Sequence, residues 1–526
     1  MRIALPLAAA AAALLVAPGA IPAGQGTRDG GVLVVAEHRL EHVDPSLALE
    51  PLARQLEHAT ALQLVNYPDA RAPKAWRLSL EGASSYKISK DGRTYMFRIR
   101  KGLRLSDGSL VTAKNYAYAI ERLFSKSLGS PAAWEFLATT PSPGEIVGAR
   151  AVYEGRSRKV SGVRTSGASL SIRLTRPDPK FLSRLALPLF QAVSLRLPRD
   201  EAVTAVAGPR DLPTGGPFAI VSYDRDGFLS LQRNPYYRGS RRPRLDWIVV
   251  NFHNRPEDVY REVEAGRADY TRLVPPVVHE TLGRRYGVNK GRFRVNPSNC
   301  VSFLHLNPSD PLFEGNAALR RAVNLVLDRS AMVATRGVHA MRPHDQLLPP
   351  NLRGYRPAEV YPLTKPAVAA AQRLARGNER DGKATLFLTG RTPTGERLAE
   401  IVRRDLAKIG IALTPIYDRF GSPASGTIGF ATACFEDAGQ LVPWLEHAAP
   451  LGPELKRRLA RAVALRGEAR AEALGRLEVE LGRKVAPFAP WGVPNRHELL
   501  SARVDPRSVV FHPAYEATDL VALTLK

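Results

Sequence analysis

The 526-residue chain has the composition of an ordinary globular protein, with 44% hydrophobic and 24% charged residues. This composition and length exclude intrinsic disorder, collagen-like repeats and a coiled coil as descriptions of the whole chain, and they predict two or three domains. The 75 Lys and Arg against 50 Asp and Glu give a formal net charge of +25, which favours anionic surfaces or partners without indicating a fold. Two cysteines, Cys300 and Cys434, are too few for a disulfide-dense scaffold or for a zinc or iron–sulfur site built from cysteines.

The first 23 residues have the order of a secretory signal peptide. Arg2 precedes an apolar block from Ala4 to Val16, and small residues and Pro follow through Ala23. The block is shorter than the roughly 20 apolar residues that a membrane span needs. We therefore expect an exported protein that works in a periplasm or outside the cell. No cysteine follows the apolar block, so no lipid anchor is expected at that position.

Strand-like and helical patterns alternate along the rest of the chain, which predicts mixed α/β domains. A long Pro- and Gly-rich loop is expected over 343–366. In chain order, the predicted elements are a strand over 32–36, a strand over 95–99, a helix capped by Thr112 that runs to about Phe124, a candidate strand over 301–307, helices with apolar stripes over 319–326 and 398–409, a strand over 411–417 and a pair of helices over 453–484.

Catalytic and metal-binding motifs are mostly missing from the sequence. It contains no G-x-S-x-G, H-E-x-x-H or G-x-G-x-x-G pattern. Residues 377–383 read G-x-x-x-x-G-K, but Ala384 stands where a phosphate-binding loop needs Ser or Thr, which indicates a surface turn. His38 and His42 have the spacing of two metal ligands on a helix, yet Pro45 and the preceding strand leave little room for one. We therefore expect a protein that is not an enzyme and needs no cofactor or metal. Because no Lys/Arg run is interleaved with aromatic residues, we expect no nucleic-acid partner.

Several motifs, in order along the chain, together resemble the extracellular solute-binding proteins of family 5, which serve ABC importers of peptides, nickel and other solutes. The most specific match is the run from Ser89 through Leu123, with its strand, Arg-Lys-Gly turn, Ser-Asp-Gly turn and Thr-Ala helix start. The other matching stretches are GGVL at 30–33 with HVDP at 42–45, TGGPF at 214–218, RNPYY at 233–237, EVEAGRAD at 262–269, the block over 303–328 that ends in LRRAVNLVLDR, and DLAKIGI at 405–411.

The resemblance implies an α/β fold of the type II periplasmic-binding-protein kind, with two lobes that close over a ligand by a hinge and an extra inserted domain. Lobe I would comprise residues 30–65, 200–290 and 490–526, with the inserted domain at 66–199. Lobe II would comprise 295–488. The implied function is capture of an extended peptide or related solute by a monomeric protein, followed by delivery to an ABC permease in the membrane.

The resemblance also implies which residues face the ligand. In peptide-binding members a carboxylate two residues after the loop cysteine pairs with the α-ammonium of the peptide, which corresponds to Glu436 here, with Asp437 beside it as the second candidate. The peptide main chain pairs with strands of the lobes, and the candidate strand with Val301 and Phe303 is one choice, although a structural strand is an equal alternative. Two tryptophans, Trp444 and Trp491, are candidates for the cleft or for the core.

Cys300 and Cys434 are expected to form a disulfide, because some oligopeptide-binding members have cysteines bridged at these two places. Export into an oxidising compartment supports the pairing, and two separate buried thiols are the alternative.

Two departures from the family pattern concern the ligand. The family's Gly-Thr-Gly-Pro-Tyr is TGGPF here, and the region that faces the ligand in peptide-binding members reads ATACFEDAGQLVPW over 431–444, without the common Asp-Tyr-x-Asp-Pro pattern. A secreted scaffold or adhesion protein that has lost transport is therefore an alternative, and a hydrolase acting in the cleft is a weaker one.

Overall fold

A computed structural model describes residues 29–72, 74–137, 144–418, 422, 425–447 and 451–526. The predicted signal peptide lies outside the described residues. Among the helices that the structure describes, none is both long and apolar enough to cross a membrane.

The strands and helices alternate along the chain, as the sequence pattern predicts. The strands are β1 (Val32–Glu37), β2 (Val65–Asn66), β3 (Ser79–Leu80), β4 (Ala83–Ile88), β5 (Thr94–Ile99), β6 (Val163–Ser166), β7 (Ser169–Arg173), β8 (Phe218–Tyr223), β9 (Phe228–Arg233), β10 (Trp247–Phe252), β11 (Tyr270–Thr271), β12 (Phe293–Pro297), β13 (Cys300–Leu306), β14 (Met341–Pro343), β15 (Lys383–Leu388), β16 (Ala412–Tyr417), β17 (Ile428–Cys434), β18 (Phe488–Leu500), β19 (Phe511–His512) and β20 (Ala517–Thr518). The helices are α1 (Pro51–Thr60), α2 (Ala113–Leu123), α3 (Pro131–Leu137), α4 (Ala149–Tyr153), α5 (Phe181–Leu185), α6 (Val259–Glu264), α7 (His279–Tyr286), α8 (Ala317–Val326), α9 (Arg329–Ala334), α10 (Val368–Ala375), α11 (Pro393–Ala407), α12 (Leu441–His447), α13 (Pro453–Ala464) and α14 (Gly467–Lys484).

The first sheet region contains β8, β9, β10, β1 and β11 in that order. Strand β1 pairs in parallel with β10 and β11, while β8, β9 and β10 form an antiparallel meander. The inward side chains of β1 and β10, such as Leu33 and Ile248, are fully buried. Because β1 and β11 are parallel, their carboxyl ends meet at one edge of the sheet, which is where α/β proteins commonly bind ligands.

A separate four-stranded antiparallel sheet has the order β4-β5-β7-β6. Its inner face carries Tyr95 and Phe97, which are buried, while Met96 and Arg98 point to the exposed face. The predicted strand over 95–99 is therefore confirmed, with one further residue at its start. The predicted helix is also confirmed as α2: Thr112 is its N-cap residue, and the side-chain oxygen of Asn115 accepts a hydrogen bond of 2.8 Å from the Thr112 N–H.

The second sheet region has the order β16-β15-β17-β13-β18. Helices α8 and α11 present the predicted apolar stripes to its core, which contains Leu319, Val323 and Val402. The predicted strand over 411–417 corresponds to β16, and the predicted pair of helices over 453–484 corresponds to α13 and α14. Most of the expected loop over 343–366 lies between β14 and α10.

Strand β18 links the two sheet regions. Its first half pairs with β13, and its second half pairs with β12 and β11. A second crossing lies beside it, between β12 and β13, where the Ser298 N–H donates to the Pro494 carbonyl over 2.9 Å. These two adjacent crossings have the arrangement of a hinge. On this basis we propose the same division into lobe I, inserted domain and lobe II as the sequence predicts; the exact boundaries stay predictions.

The HVDP turn joins lobe I to the inserted domain through a buried ion pair. Asp44 and Arg122 are fully buried, and their charged groups are 2.5 Å apart. The Asp44 carboxylate also accepts hydrogen bonds from the N–H groups of Ser46 and Val203, both at 3.0 Å. One buried carboxylate therefore holds three chain segments together.

Candidate functional site

A cavity of about 360 Å³ lies at the carboxyl ends of β1 and β11, against the second half of the hinge strand β18. Both acidic and basic side chains line it, and they belong to several chain segments. The charged lining residues are Glu37, Arg39, Glu50, Arg272, Arg496, Glu498 and Glu516. All of its lining residues belong to the segments assigned to lobe I, so it is a concave site on lobe I beside the hinge strand, with polar groups from separate segments.

Two carboxyl groups in this cavity are poorly solvated. Burial raises the pKa of Glu37, and the nearby Arg272 offsets this only in part. The Glu37 side chain accepts a hydrogen bond of 2.9 Å from the Arg272 N–H. Burial also raises the pKa of Glu50, whose side chain accepts a hydrogen bond from the Glu41 N–H over 3.0 Å. Removing water from these groups strengthens their interaction with a ligand cation.

Glu516 connects the cavity to lobe II. Its carboxylate is 2.7 Å from the guanidinium of Arg496 and accepts a hydrogen bond from the Asn299 N–H. The Asn299 carbonyl in turn accepts from the Phe435 N–H over 2.9 Å. Phe435, the residue before Glu436, is therefore linked to the cavity by hydrogen bonds through Asn299 and Glu516.

The predicted disulfide is present and fixes the start of the same loop. Cys300 on β13 and Cys434 on β17 are directly opposite each other in the antiparallel ladder, and their sulfur atoms are bonded. The bridge ties the end of β17 to the crossing between the lobes.

Glu436 and Asp437 follow this bridge, and each is paired with a cation from the other side of the cleft. The Glu436 side chain is 57% exposed, and one of its oxygens lies 3.7 Å from the guanidinium of Arg54 on α1. Asp437 accepts a hydrogen bond of 2.7 Å from the Gly439 N–H and lies 3.5 Å from the ammonium of Lys180 in the inserted domain. The acidic doublet is thus a contact between lobe II and the opposite half of the molecule.

The predicted aromatic and apolar site residues lie in different surroundings. Val301 and Phe303 are fully buried, and β13 is paired on one side with β17 and on the other with β18. Trp491, in the first half of β18, is 2% exposed and packs in the core of the second sheet region. Trp444 is 37% exposed, and its ring packs edge-on against Phe303 with centroids 5.6 Å apart. Of these four residues, Trp444 alone offers an exposed ring to a ligand.

Comparison with known proteins places this architecture in a family. A family model described as "Bacterial extracellular solute-binding proteins, family 5 Middle" matches residues 78–419. The chain belongs to this family. Its curated relatives include the oligopeptide-binding protein OppA of Bacillus subtilis (strain 168), which is 24% identical over 52% of this chain and 49% of the relative. The probable deoxycholate-binding periplasmic protein YgiS of Escherichia coli (strain K12) is 27% identical over 62% of this chain and 59% of the relative. The chain thus spans about half the length of the curated relatives it matches.

Solved structures of family 5 proteins share the fold over nearly the whole chain. The unliganded open form of the periplasmic murein tripeptide binding protein MppA has a TM-score of 0.81 at 18% identity, and the match covers 96% of this chain and 99% of MppA. The clavulanic acid biosynthesis oligopeptide binding protein 2 has a TM-score of 0.75 at 21% identity, with 95% and 96% of the two chains covered. The predicted two-lobe α/β fold of family 5 is therefore confirmed.

Sequence reasoning missed the residues that line this cavity on lobe I. Glu37 follows the predicted first strand directly, so its place at the carboxyl end of a parallel strand was the available signal. Trp76 was missed as well: its ring nitrogen donates a hydrogen bond of 2.6 Å to the Asn351 carbonyl of lobe II. Arg54 and Lys180 lie far from the acidic doublet in sequence, and no local pattern indicates their pairing with it.

Among the described residues, one group of three metal-type ligands occurs away from the cavity, formed by His58, Asp69 and Asp519. The His58 ring nitrogen lies 3.0 Å from Asp69, and burial together with the neighbouring Asp69 raises the pKa of Asp519 well above its usual range. The raised pKa favours the protonated form of Asp519. His38 does not belong to this group, since its ring nitrogen contacts the His253 carbonyl at 2.9 Å.

Proposed function

We propose that this protein captures an extended peptide in the cleft between its lobes and delivers it to an ABC permease after export to a periplasm or to the cell exterior. Membership of family 5 supports a solute-binding role, and the cavity beside the hinge strand supports the place. The observation that carries the proposal is the position of Glu436, on lobe II, with its carboxylate directed towards α1 of lobe I. We further propose that the protein acts as a monomer and as a binding protein without catalytic activity, and that ligand binding closes the lobes.

Glu436 is the better of the two candidates for holding the peptide's α-ammonium. One oxygen of Asp437 is occupied by the Gly439 N–H, and Lys180 lies beside it. Glu436 is more exposed, and its contact with Arg54 at 3.7 Å is longer than a hydrogen bond. A ligand ammonium therefore replaces Arg54 with little loss, because an exposed ion pair contributes at most about 1 kcal/mol.

Of the remaining predicted residues, one would contact the peptide and the others stabilise the structure around the cleft. Trp444 supplies an exposed aromatic face to the peptide. Val301, Phe303 and Trp491 shape the second sheet region from within, since their side chains are buried. Peptide side chains would then lie in the wider part of the cleft, where bridging waters tolerate different sequences.

Isothermal titration with one bound peptide, in its free and N-acetylated forms, tests the anchoring role. A charge-assisted hydrogen bond of about 1.5–3 kcal/mol predicts a tenfold to hundredfold loss of affinity for the free peptide in Glu436→Gln. Asp437→Asn should change affinity less, and Glu446→Gln on the exposed side of α12 is the matched control. If the free peptide binds all four proteins equally well and acetylation is tolerated by each, the anchoring role is wrong.

A further inference from the structure

A second cavity, of about 450 Å³, lies outside the cleft on the inserted domain. Three arginines and several hydroxyl groups line it, among them Arg93, Arg164, Arg173, Ser161, Ser171 and Thr175. None of its lining residues is acidic. We call this cavity the anion pocket. It belongs to a different sheet from the cleft residues, so it can bind a ligand independently of them.

Strand register brings two of the arginines together. Arg164 on β6 is directly opposite Ser171 on β7, and Arg173 lies two residues further along β7 on the same face. Diagonal neighbours of this kind have their Cβ atoms about 7–8 Å apart, within reach of long side chains. Thr94 on β5 lies opposite Arg173 and adds a hydroxyl at the edge of the same pocket. The two guanidinium groups can therefore converge on one ligand.

Neither Arg164 nor Arg173 has an ion-pair or side-chain hydrogen-bond partner among the described side chains. Arg93 is different, since its guanidinium donates to the Asp91 carboxylate over 2.9 Å. Two like charges held side by side repel each other, and an anion between them removes the repulsion. The pocket thus has two cationic groups available for a ligand.

The rest of the exposed sheet face reinforces this positive charge. Arg98 on β5 and Lys87 on β4 lie on the same face as Arg173. The outward residues of the four strands are Ser85, Lys87, Thr94, Met96, Arg98, Arg164, Ser166, Ser169, Ser171 and Arg173, and none of them is acidic. The face therefore concentrates anions at the mouth of the pocket.

We propose that the anion pocket binds a phosphate group, carried either by a soluble phosphate ester or by a lipid headgroup. Guanidinium groups match phosphate oxygens with pairs of parallel hydrogen bonds, and Ser and Thr hydroxyls donate to the remaining oxygens. The volume of about 450 Å³ leaves room for an organic group beside the phosphate.

The test uses the full-length exported protein and two probes. Titration calorimetry with glycerol 3-phosphate measures a soluble ester, and co-sedimentation with phosphatidylglycerol vesicles, against phosphatidylcholine vesicles, measures a headgroup. The variant is Arg164→Gln/Arg173→Gln. Its control, Lys456→Gln/Arg457→Gln, removes the same charge from the exposed face of α13.

At least one probe should bind the wild type, and its affinity should fall more than tenfold in the pocket variant while the control stays within about twofold. Binding of the soluble ester alone identifies a phosphorylated solute, and binding of the phosphatidylglycerol vesicles alone identifies a lipid headgroup. The proposal is overturned if neither probe binds, or if both double variants lose affinity equally. Peptide affinity in the cleft should be the same in all three proteins, so this result is independent of the proposed transport function.

Discussion

Replacing both bridged cysteines with serine should destabilise lobe II strongly. Cys300 and Cys434 are 134 residues apart, and the chain-entropy model for a loop of that length gives about 5 kcal/mol in favour of the folded state. This is an upper value, because residual structure in the reduced, unfolded chain lowers the loop-closure entropy that the bridge removes. We expect a measured loss of about 2–5 kcal/mol for Cys300→Ser/Cys434→Ser.

Urea unfolding of the oxidised wild type, the reduced wild type and the double variant measures this loss. The reduced wild type and the variant should coincide, since both lack the same crosslink. Hydrogen exchange of the β13 and β17 amides should accelerate in both, which assigns the effect to lobe II rather than to the whole chain. A difference below about 1 kcal/mol between oxidised and reduced protein, or two free thiols in the denatured, unreduced wild type, would refute the reasoning.

Two further predictions concern buried charges. Arg122→Leu leaves the Asp44 carboxylate buried without its cation, so we expect a loss of about 3–5 kcal/mol in urea unfolding, and a loss below about 1 kcal/mol would contradict the role of the pair. Burial raises the pKa of Glu478 to about 8, and its side chain accepts a hydrogen bond from the Leu347 N–H. A pKa raised on folding gives stability that is complete below the unfolded value of about 4.5 and is lost as pH rises through about 8. The midpoint of urea unfolding should therefore fall over this pH range, and it should fall less steeply in Glu478→Gln. Equal slopes for the wild type and the variant would exclude Glu478 as the cause.

The strands and helices could be predicted because their signals are local, whereas the two-lobe fold followed from the resemblance to family 5. The strand β5, the N-cap at Thr112 and the apolar stripes of α8 and α11 each depend on neighbours within a few residues. The HVDP turn is one of the stretches that carried this resemblance. The Asp44 carboxylate shows why this turn matters, since it holds three segments together.

The site could be predicted only on the side that the family pattern marks. Glu436 and the disulfide follow from that pattern, whereas the pairing with Arg54 joins distant parts of the chain. Trp444 and Trp491 are the same residue type, and only the packing around the second sheet region makes the first exposed and the second buried. Exposure of a side chain at a lobe interface depends on the tertiary arrangement, which local composition does not encode.

Native mass spectrometry of the protein purified without denaturation is the most direct test of peptide capture. The proposed function predicts a bound mass that is released on denaturation, fragments as a peptide and exchanges for an added peptide with a free amino terminus. Protein that carries a non-peptide solute, or that remains ligand-free across a peptide library, would contradict it.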